Sequence, residues 1–553
     1  MLLRIASVTA LLLLAAAAPA AADITFAGCF RPGASAAGCS GMAGPNYGGL
    51  NTVTTADGRW IVSAQGGIRV FERTPGGVVF RRCYGRPDAG CEPLDLSGVR
   101  TIALSPDGRW LVGTSDVEDL LVWYRFDAGA GTLTQAGCLA GPGGSASGCP
   151  AQPELDGAAN PVFSPDGRHL YVGAGDAPRT AILTFAFDAA TGMPRYANCV
   201  GGRSSPVTCA ERATGLRTAT AYGITPDGRA VYASGRGIEM LARDASTGQL
   251  RSVGCIDEDD EFGACPMHAP IVNGTRPAIS PDGSFVYFDV GATIRGWRRD
   301  ARTQQLTPGP CITQSADSTV CPTESQMVSQ SELVMAPDGR NLYTLGISFA
   351  RTANDAAGEW GISEIARDPA TGALGLGGPC ARQRGGTVLT WCTVEADGLL
   401  EPLSLDISAD GTQLFAMNSG LFQGSGNAAT AMFARTPRPL PTPPAAARKA
   451  PPLVLADSGT GSRRRAHVPV GCGDGSPCSG TVTLSVGTRP IGGRRFSIPP
   501  GRIAEVKVPL DARTRRRLAR LGSDETLEAR ARIVRTRGAG AKRETLAVAL
   551  DRR

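Results

Sequence analysis

The sequence has little of what most catalytic and metal centres are made from. It holds three histidines in 553 residues, no Cys-x-x-Cys pair, 6% aromatic residues and hardly any lysine beside its arginine. Without four clustered Cys and His ligands there is no structural zinc site. Without Cys-x-x-Cys there is no thioredoxin-type redox motif. After residue 22 no apolar run approaches the roughly 20 residues that cross a bilayer as a helix. What is abundant is turn chemistry: 72 Gly and 40 Pro, with 42% hydrophobic residues to bury. That composition fits a turn-rich β protein with real cores, and the length calls for more than one domain.

The first 22 residues read as an export signal. Arg4 supplies the positive start, Leu11 to Ala18 the apolar stretch, and Ala20 and Ala22 a small-residue cleavage site before Asp23. Export agrees with the sixteen cysteines, which fall in eight close pairs. Cys29 is expected to bond with Cys39, Cys83 with Cys91, Cys138 with Cys149, Cys199 with Cys209, Cys255 with Cys265, Cys311 with Cys321, Cys380 with Cys392, and Cys472 with Cys478. Cross-linking a loop of about ten residues removes on the order of 2 to 3 kcal/mol of unfolded-chain entropy, so the pairs read as structural disulfides of an extracellular or cell-envelope protein.

One turn signature recurs seven times, at Asp57, Asp107, Asp166, Asp227, Asp282, Asp338 and Asp410, each followed by Gly and spaced by about 59 residues. Short apolar runs flank every turn, as in Thr101 to Leu104 and Trp110 to Val112. This is a hairpin signal in which Asp-Gly takes the turn geometry. A second hairpin follows in most units, marked by Phe126-Asp127, Phe187-Asp188, Arg243-Asp244, Arg299-Asp300 and Arg367-Asp368. Seven units of four antiparallel strands predict an all-β, seven-bladed β-propeller. The last unit lacks its outer strand and runs into proline after Thr436, while Ile24 to Cys29 is a strand with a cysteine loop and no unit of its own. The N-terminal strand is therefore expected to close the final blade, leaving no open edge.

The Ser-Pro-Asp-Gly turn, the Tyr171-Val172 run and the Asp-Ala-x-Thr-Gly hairpin at Asp188 to Gly192 resemble the secreted lactonase-like and YVTN-type propellers, which are related in plan to WD40 repeats. The resemblance covers residues 23–436 and implies the fold; proteins of that fold include lactone hydrolases and many non-catalytic surface proteins. Residues 437–452 are proline-rich and read as an extended linker. Residues 453–553 show short strands at Thr481 to Leu484, Ala504 to Val508, Leu527 to Val534 and Leu546 to Leu550, with one helix capped by Asp511, running from Arg513 to Leu521 and stopped by Gly522. This part is expected to be a small immunoglobulin-like β-sandwich, resembling C-terminal modules of bacterial secreted proteins. It carries 21 Lys+Arg against 9 Asp+Glu, net +12, leaving 35 against 41, net −6, for the rest. Its arginines suit an anionic envelope polymer. Nucleic acid is not expected, because Phe496 is the lone aromatic of that part.

For a ligand, the expected place is the mouth of the propeller channel, on the side of the cysteine loops. Six residues before each turn Asp stand Asn51, Thr101, Asn160, Ala221, Arg276, Glu332 and Ser404. Of these Asn51, Asn160, Arg276 and Glu332, with Arg100 alongside, are the candidate channel residues. An enzyme would use His268 as general base, Arg276 to stabilise an oxyanion and Glu332 to orient a group or bind a cation during lactone opening. No cofactor is required by this reading. The acidic loop with Asp257, Asp259, Asp260 and Glu261 offers oxygen ligands that suit Ca²⁺, without the alternating spacing of a known calcium loop. No catalytic signature is matched, and the sequence favours a monomeric recognition or scaffold protein, whose partner is an extracellular protein, glycan or small molecule, over a hydrolase.

Overall fold

The computed structural model describes residues 24–436 and 458–550, apart from segments between elements, the longest of which are 43–50, 258–274 without Cys265, 315–320, 350–357, 419–428, 472–477 and 521–526. Apart from turns and loops the described structure is β-strand, with one α-helix, Ala512–Leu518. Residues 24–436 form seven antiparallel sheets in chain order. The third sheet is typical: Ala159–Phe163, His169–Ala174, Ala181–Phe187 and Pro194–Gly201 pair in succession. In the seventh sheet the fourth position is taken by Ile24–Pro32, which runs antiparallel to Thr430–Arg435 with Ile24 opposite Arg435.

The first strands of the seven sheets touch one another in a closed cycle. Asn51–Thr54 meets Thr101–Leu104, that strand meets Ala159–Phe163, and so on through Ala221–Ile224, Ala278–Ile279, Glu332–Met335 and Pro402–Ile407, which returns to Asn51–Thr54. The cores lie between neighbouring sheets. Leu170, Val172 and Leu183 of the third sheet pack on Val112 and Leu121 of the second, and Ile61 and Phe71 of the first sheet pack on Phe415 and Met432 of the seventh. Each sheet is therefore apolar on both faces and is buried only when flanked on both sides.

The Asp-Gly turns fold as the sequence suggests, and their local bonds show why. Ser105 Oγ donates to Asp107 Oδ1 at 2.6 Å and accepts from Trp110 N at 3.0 Å, with Thr55, Ser164, Thr225 and Ser280 repeating the pattern. The same aspartates also join sheets. Arg243 in the fourth sheet reaches Asp166 of the third at 3.0 Å, Arg299 in the fifth reaches Asp227 of the fourth at 2.7 Å, and Arg435 in the seventh reaches Asp338 of the sixth at 2.6 Å. Arg73 to Asp410, at 2.6 Å, carries the pattern across the seam between the first and seventh sheets. The first three guanidinium side chains are almost wholly buried, and tyrosine hydroxyls complete two of them: Arg243 Nε donates to Tyr171 OH at 2.7 Å and Arg435 Nε to Tyr343 OH at 2.8 Å. Arg299 instead donates to the Gln304 side chain.

Seven of the eight expected disulfides are formed, one at each sheet of this part. Cys29 is bonded to Cys39, Cys83 to Cys91, Cys138 to Cys149 and Cys199 to Cys209. Cys255 is bonded to Cys265, Cys311 to Cys321 and Cys380 to Cys392. The loop after an outer strand turns back to lie parallel to it, as Tyr84 opposite Glu92 and Val200 opposite Glu211. Parallel neighbours ordinarily need a crossover of a dozen or more residues; here the disulfide holds a shorter return in place. The eighth pair, Cys472 with Cys478, is not among these bonds: Cys478 opens the strand Cys478–Val486, but Cys472 lies outside the described residues, and the pair lies outside them with it.

Residues 458–550 form one seven-stranded sheet in continuous hydrogen-bonded order. Three of its strands, Ser458–Gly461, Arg465–Gly471 and Arg489–Ile498, carry no sequence signal strong enough for prediction, because glycine, proline and arginine interrupt their alternation. Asp511 caps the helix as expected, accepting from Thr514 N at 2.6 Å. The helix ends at Leu518 instead of running on to Leu521.

Glycines at the second hairpins are fixed by the neighbouring sheet. Gly248 has φ 73°, and a Cβ there would overlap the buried His169 ring. Gly192 stands in the same relation to Trp110 and Gly372 to Phe285. Gly248→Ala is expected to destabilise the protein by about 2 to 4 kcal/mol through left-handed strain and overpacking. Denaturant unfolding of the full chain checks it, and a loss too small to measure would contradict this packing.

Candidate functional site

The first strands bring their entry residues together at the end of the cycle that carries the cysteine loops. Three of the expected channel residues are engaged in holding structure there. Asn51 is buried, accepting from Ile102 N at 2.9 Å and donating to Ile102 O at 2.6 Å, so its amide joins two sheets as a strand would. Asn160 sits in the left-handed region with φ 51°; its N donates to Thr101 Oγ1 at 3.0 Å and its carbonyl accepts from the Tyr222 hydroxyl. Arg100 makes an exposed ion pair with Asp116 at 3.0 Å.

Arg276 and Glu332 come together with two carboxyls that the sequence reading passed over, Asp406 and Asp289. Arg276 Nη1 lies 3.8 Å from Asp406 Oδ1, across the strand that begins at Glu332. Asp406 Oδ2 also accepts from Thr52 N at 2.6 Å, which ties the cluster to the first sheet. Asp289 is fully buried at the end of Phe285–Asp289 and accepts from Thr344 Oγ1 at 3.1 Å. Desolvation dominates the titration of this cluster. Burial pushes Glu332 up to about 8, with Arg276 opposing and Asp406 and Asp289 adding to the rise. Burial pushes Asp406 up to about 6, against Arg276 and the Thr52 amide. Near neutral pH Glu332 thus keeps its proton while Asp406 has mostly lost its own, and the Arg276 guanidinium opposes both rises. Such a division suits hydrogen bonding to a polar ligand or proton transfer.

A signal for Asp406 is present in the repeat. Four residues before the turn Asp the other units carry Val53, Ala103, Val162, Gly223, Ala278 and Val334. A carboxylate in a register that is otherwise small and apolar is the mark of a special position. Seven residues after the turn Asp, Asp289 stands where the others have Ala64, Thr114, Gly173, Ser234, Leu345 and Met417.

His268 lies outside the described residues, as do Asp259, Asp260 and Glu261 of the acidic loop. Asp257 is buried at the end of Leu250–Asp257. Among the described residues no group of three or more His, Cys, Asp or Glu side chains is arranged to hold a metal ion. His169, on the opposite side of the sheets, is buried beside Arg243, and both burial and that guanidinium lower its pKa. No helix among the described residues is long and apolar enough to cross a membrane. The seven disulfides fit an extracellular location.

No protein-family model matches the sequence, and no curated protein does. Among solved structures, a periplasmic gluconolactonase of Pseudomonas aeruginosa aligns at 16% identity over 70% of this chain and 96% of its own, with a TM-score of 0.41. A structure described as a putative 6-phosphogluconolactonase of Bacteroides uniformis aligns at 15% over 65% and 88%, TM-score 0.37. A chain of a mitotic checkpoint complex aligns at 14% over 71% and 88%, TM-score 0.40. At these values no activity passes from those proteins to this chain.

The raised pKa values set a direction for stability. A carboxyl whose folded pKa lies above its unfolded value stabilises fully below the unfolded pKa, and that contribution is lost as pH rises through the folded one. For Asp406 and Glu332 the window runs from about 4 to about 8. Glu332→Gln is expected to flatten the fall in melting temperature between about pH 5 and about pH 9, leaving the variant more stable than wild type at the alkaline end. Parallel curves for the two proteins would show that Glu332 is not held protonated.

Proposed function

We propose that the protein is an exported seven-bladed β-propeller, closed by its N-terminal strand, that recognises a polyhydroxylated ligand such as a glycan end or a sugar acid at the channel mouth. Cleavage near Ala22-Asp23 frees residues 23–436 as the propeller; residues 437–452 link it to a basic immunoglobulin-like sandwich over residues 453–553. The closed cycle of first strands supports the propeller. The tail sheet supports a sandwich because strands far apart in its order, with Val468, Val482, Ile491, Val508 and Ile533, share one core.

The observation that carries the ligand reading is the Arg276–Asp406 pair flanked by Glu332. A sugar hydroxyl both donates and accepts; Asp406 can only accept when ionised, protonated Glu332 can donate, and Arg276 donates in a fixed fork. The Thr52 amide, bonded to Asp406 Oδ2, holds that carboxyl in place before a ligand arrives.

The same division of protons favours one second reading, lactone hydrolysis. Asp406, or His268 as the sequence suggests, would take a proton from water as its oxygen attacks the lactone carbonyl. Arg276 would stabilise the oxyanion, and Glu332 would protonate the ring oxygen as the acyl bond breaks.

Calorimetric titration of the full chain with neutral sugars, aldonic acids and oligosaccharides tests recognition. Binding should weaken roughly tenfold or more in Arg276→Gln and Asp406→Asn, since each removes a charged hydrogen-bond partner. If wild type binds none of the panel, or the variants bind equally well, the site is assigned wrongly. Turnover of aldono- or acyl-homoserine lactones by wild type, abolished in Glu332→Gln and Asp406→Asn, would establish the hydrolase instead.

A further inference from the structure

The C-terminal sheet carries a cleft of about 420 Å³. Its apolar side is made by Val486, Ile491 and Leu527, of which Ile491 and Leu527 are buried. Its rim holds five arginines: Arg489 on the strand Arg489–Ile498, and Arg513, Arg516, Arg517 and Arg520 on and just after the helix. The helical four follow the spacing i, i+3, i+4, i+7, which stacks them along one side; Leu518 is buried away from the cleft, and Thr514, also buried, lies in its lining. The sequence thus builds a helix with its apolar residues spent on the sheet and its cations gathered over a cavity.

These cations are poorly compensated among the described residues. Among the described residues one carboxylate pairs with an arginine of the cleft, Asp511, and Arg489 takes it at 3.1 Å while also donating to Thr514 Oγ1 at 3.0 Å. Asp511 is further engaged as the helix cap. Arg513, Arg516, Arg517 and Arg520 make no ion pair among the described residues and are exposed. Like charges at i, i+3 and i+4 repel, so the helix stands to gain from an anion. Guanidinium forks match a carboxylate or phosphate in two-point geometry. An inorganic anion would leave the apolar side uncovered, and a neutral hydrocarbon would leave the rim without a partner. The volume lies in the range of small-molecule sites.

We propose that this cleft binds an organic anion with an apolar body, a carboxylate or phosphate carried on an acyl chain. A free fatty acid and the headgroup region of an anionic envelope lipid both present that chemistry. The arginines grip the anion and the chain lies against Ile491 and Leu527.

The test uses the full-length protein and four probes: decanoate, decyl phosphate, decanol and inorganic phosphate, titrated calorimetrically. Decanoate or decyl phosphate should bind at one site per chain, with decanol and phosphate weaker by roughly tenfold or more, and binding should weaken as salt is raised. Arg513→Gln with Arg517→Gln should lower affinity roughly tenfold or more with the circular dichroism spectrum unchanged and the melting temperature no lower than wild type. Arg530→Gln, an exposed strand arginine outside the cleft, should leave binding as it is. Co-sedimentation with phosphatidylglycerol vesicles but not phosphatidylcholine ones identifies the lipid source; binding of the soluble probes alone identifies the free acid. No binding by either charged probe, equal binding of decanol, or an equal loss in Arg530→Gln would overturn the assignment.

Discussion

A four-stranded sheet that is apolar on both faces has no natural place to stop. Each of the seven sheets must be covered twice, and the only arrangement that leaves none uncovered is a cycle whose last sheet meets its first. The rest of the structure follows from that closure requirement. It explains why the seam between the seventh and first sheets has the devices seen at other junctions: an apolar core through Ile61, Phe71, Phe415 and Met432, and an arginine to aspartate link from Arg73 to Asp410 like those that join the third to the fourth, the fourth to the fifth and the sixth to the seventh sheet. The link recurs because it resolves a conflict of packing. The arginine stems fill space between sheets, their heads are too buried to remain unpaired, and the turn aspartates of the preceding sheet are already placed by their own hairpins.

The two ends of the cycle differ in how they handle charge. On the turn side, carboxyls are stabilised as anions: Asp166 and Asp410 are drawn down to about 2 by hydroxyl, amide and arginine donors despite some burial. On the cysteine-loop side, Glu332 and Asp406 are driven the other way because desolvation exceeds what Arg276 returns. Glu239 behaves like them without belonging to the site. It is buried beside the fourth cysteine loop, accepts from Gly215 N at 2.8 Å and is pushed up to about 7 by burial. Structural carboxyls here therefore occur in both protonation regimes, and it is the convergence of Glu332 with Arg276 and Asp406 that separates a site from a well-packed acid.

Much of the architecture was legible because it depends on short-range chemistry. Asp-Gly turns, the serine or threonine ahead of them, and the paired cysteines are local, so they survive in the sequence as a period. Ile24 to Cys29 could be placed as the missing outer strand because it had the right pattern and no unit of its own. The links between sheets were less legible. Arg243-Asp244 and Arg299-Asp300 were visible as hairpin markers, but their arginines act on Asp166 and Asp227 one sheet away, which no spacing along the chain reveals. The site was legible by half. Counting to the strand entries reaches Arg276 and Glu332 and misses Asp406, two residues further into its strand, because the register that faces the centre differs between sheets. Asn51 shows the converse: a polar side chain at the right position whose amide is consumed by Ile102.

The pairing of Ile24 with Arg435 joins residues about 410 positions apart in sequence. Every other hydrogen-bonded strand pair within the seven sheets is local, so this pairing, with the seam beside it, carries a loop-closure entropy far beyond the rest. As the chain is made, the N-terminal strand emerges first and its partner, Thr430–Arg435, only after the strands of the first six sheets. Until then its edge and the inner faces of the first and seventh sheets stay open to whatever else is present. The slow, vulnerable step of maturation is thus set by topology: six sheets can stack as they appear, while the ring becomes a ring only when the end of the chain returns to its beginning.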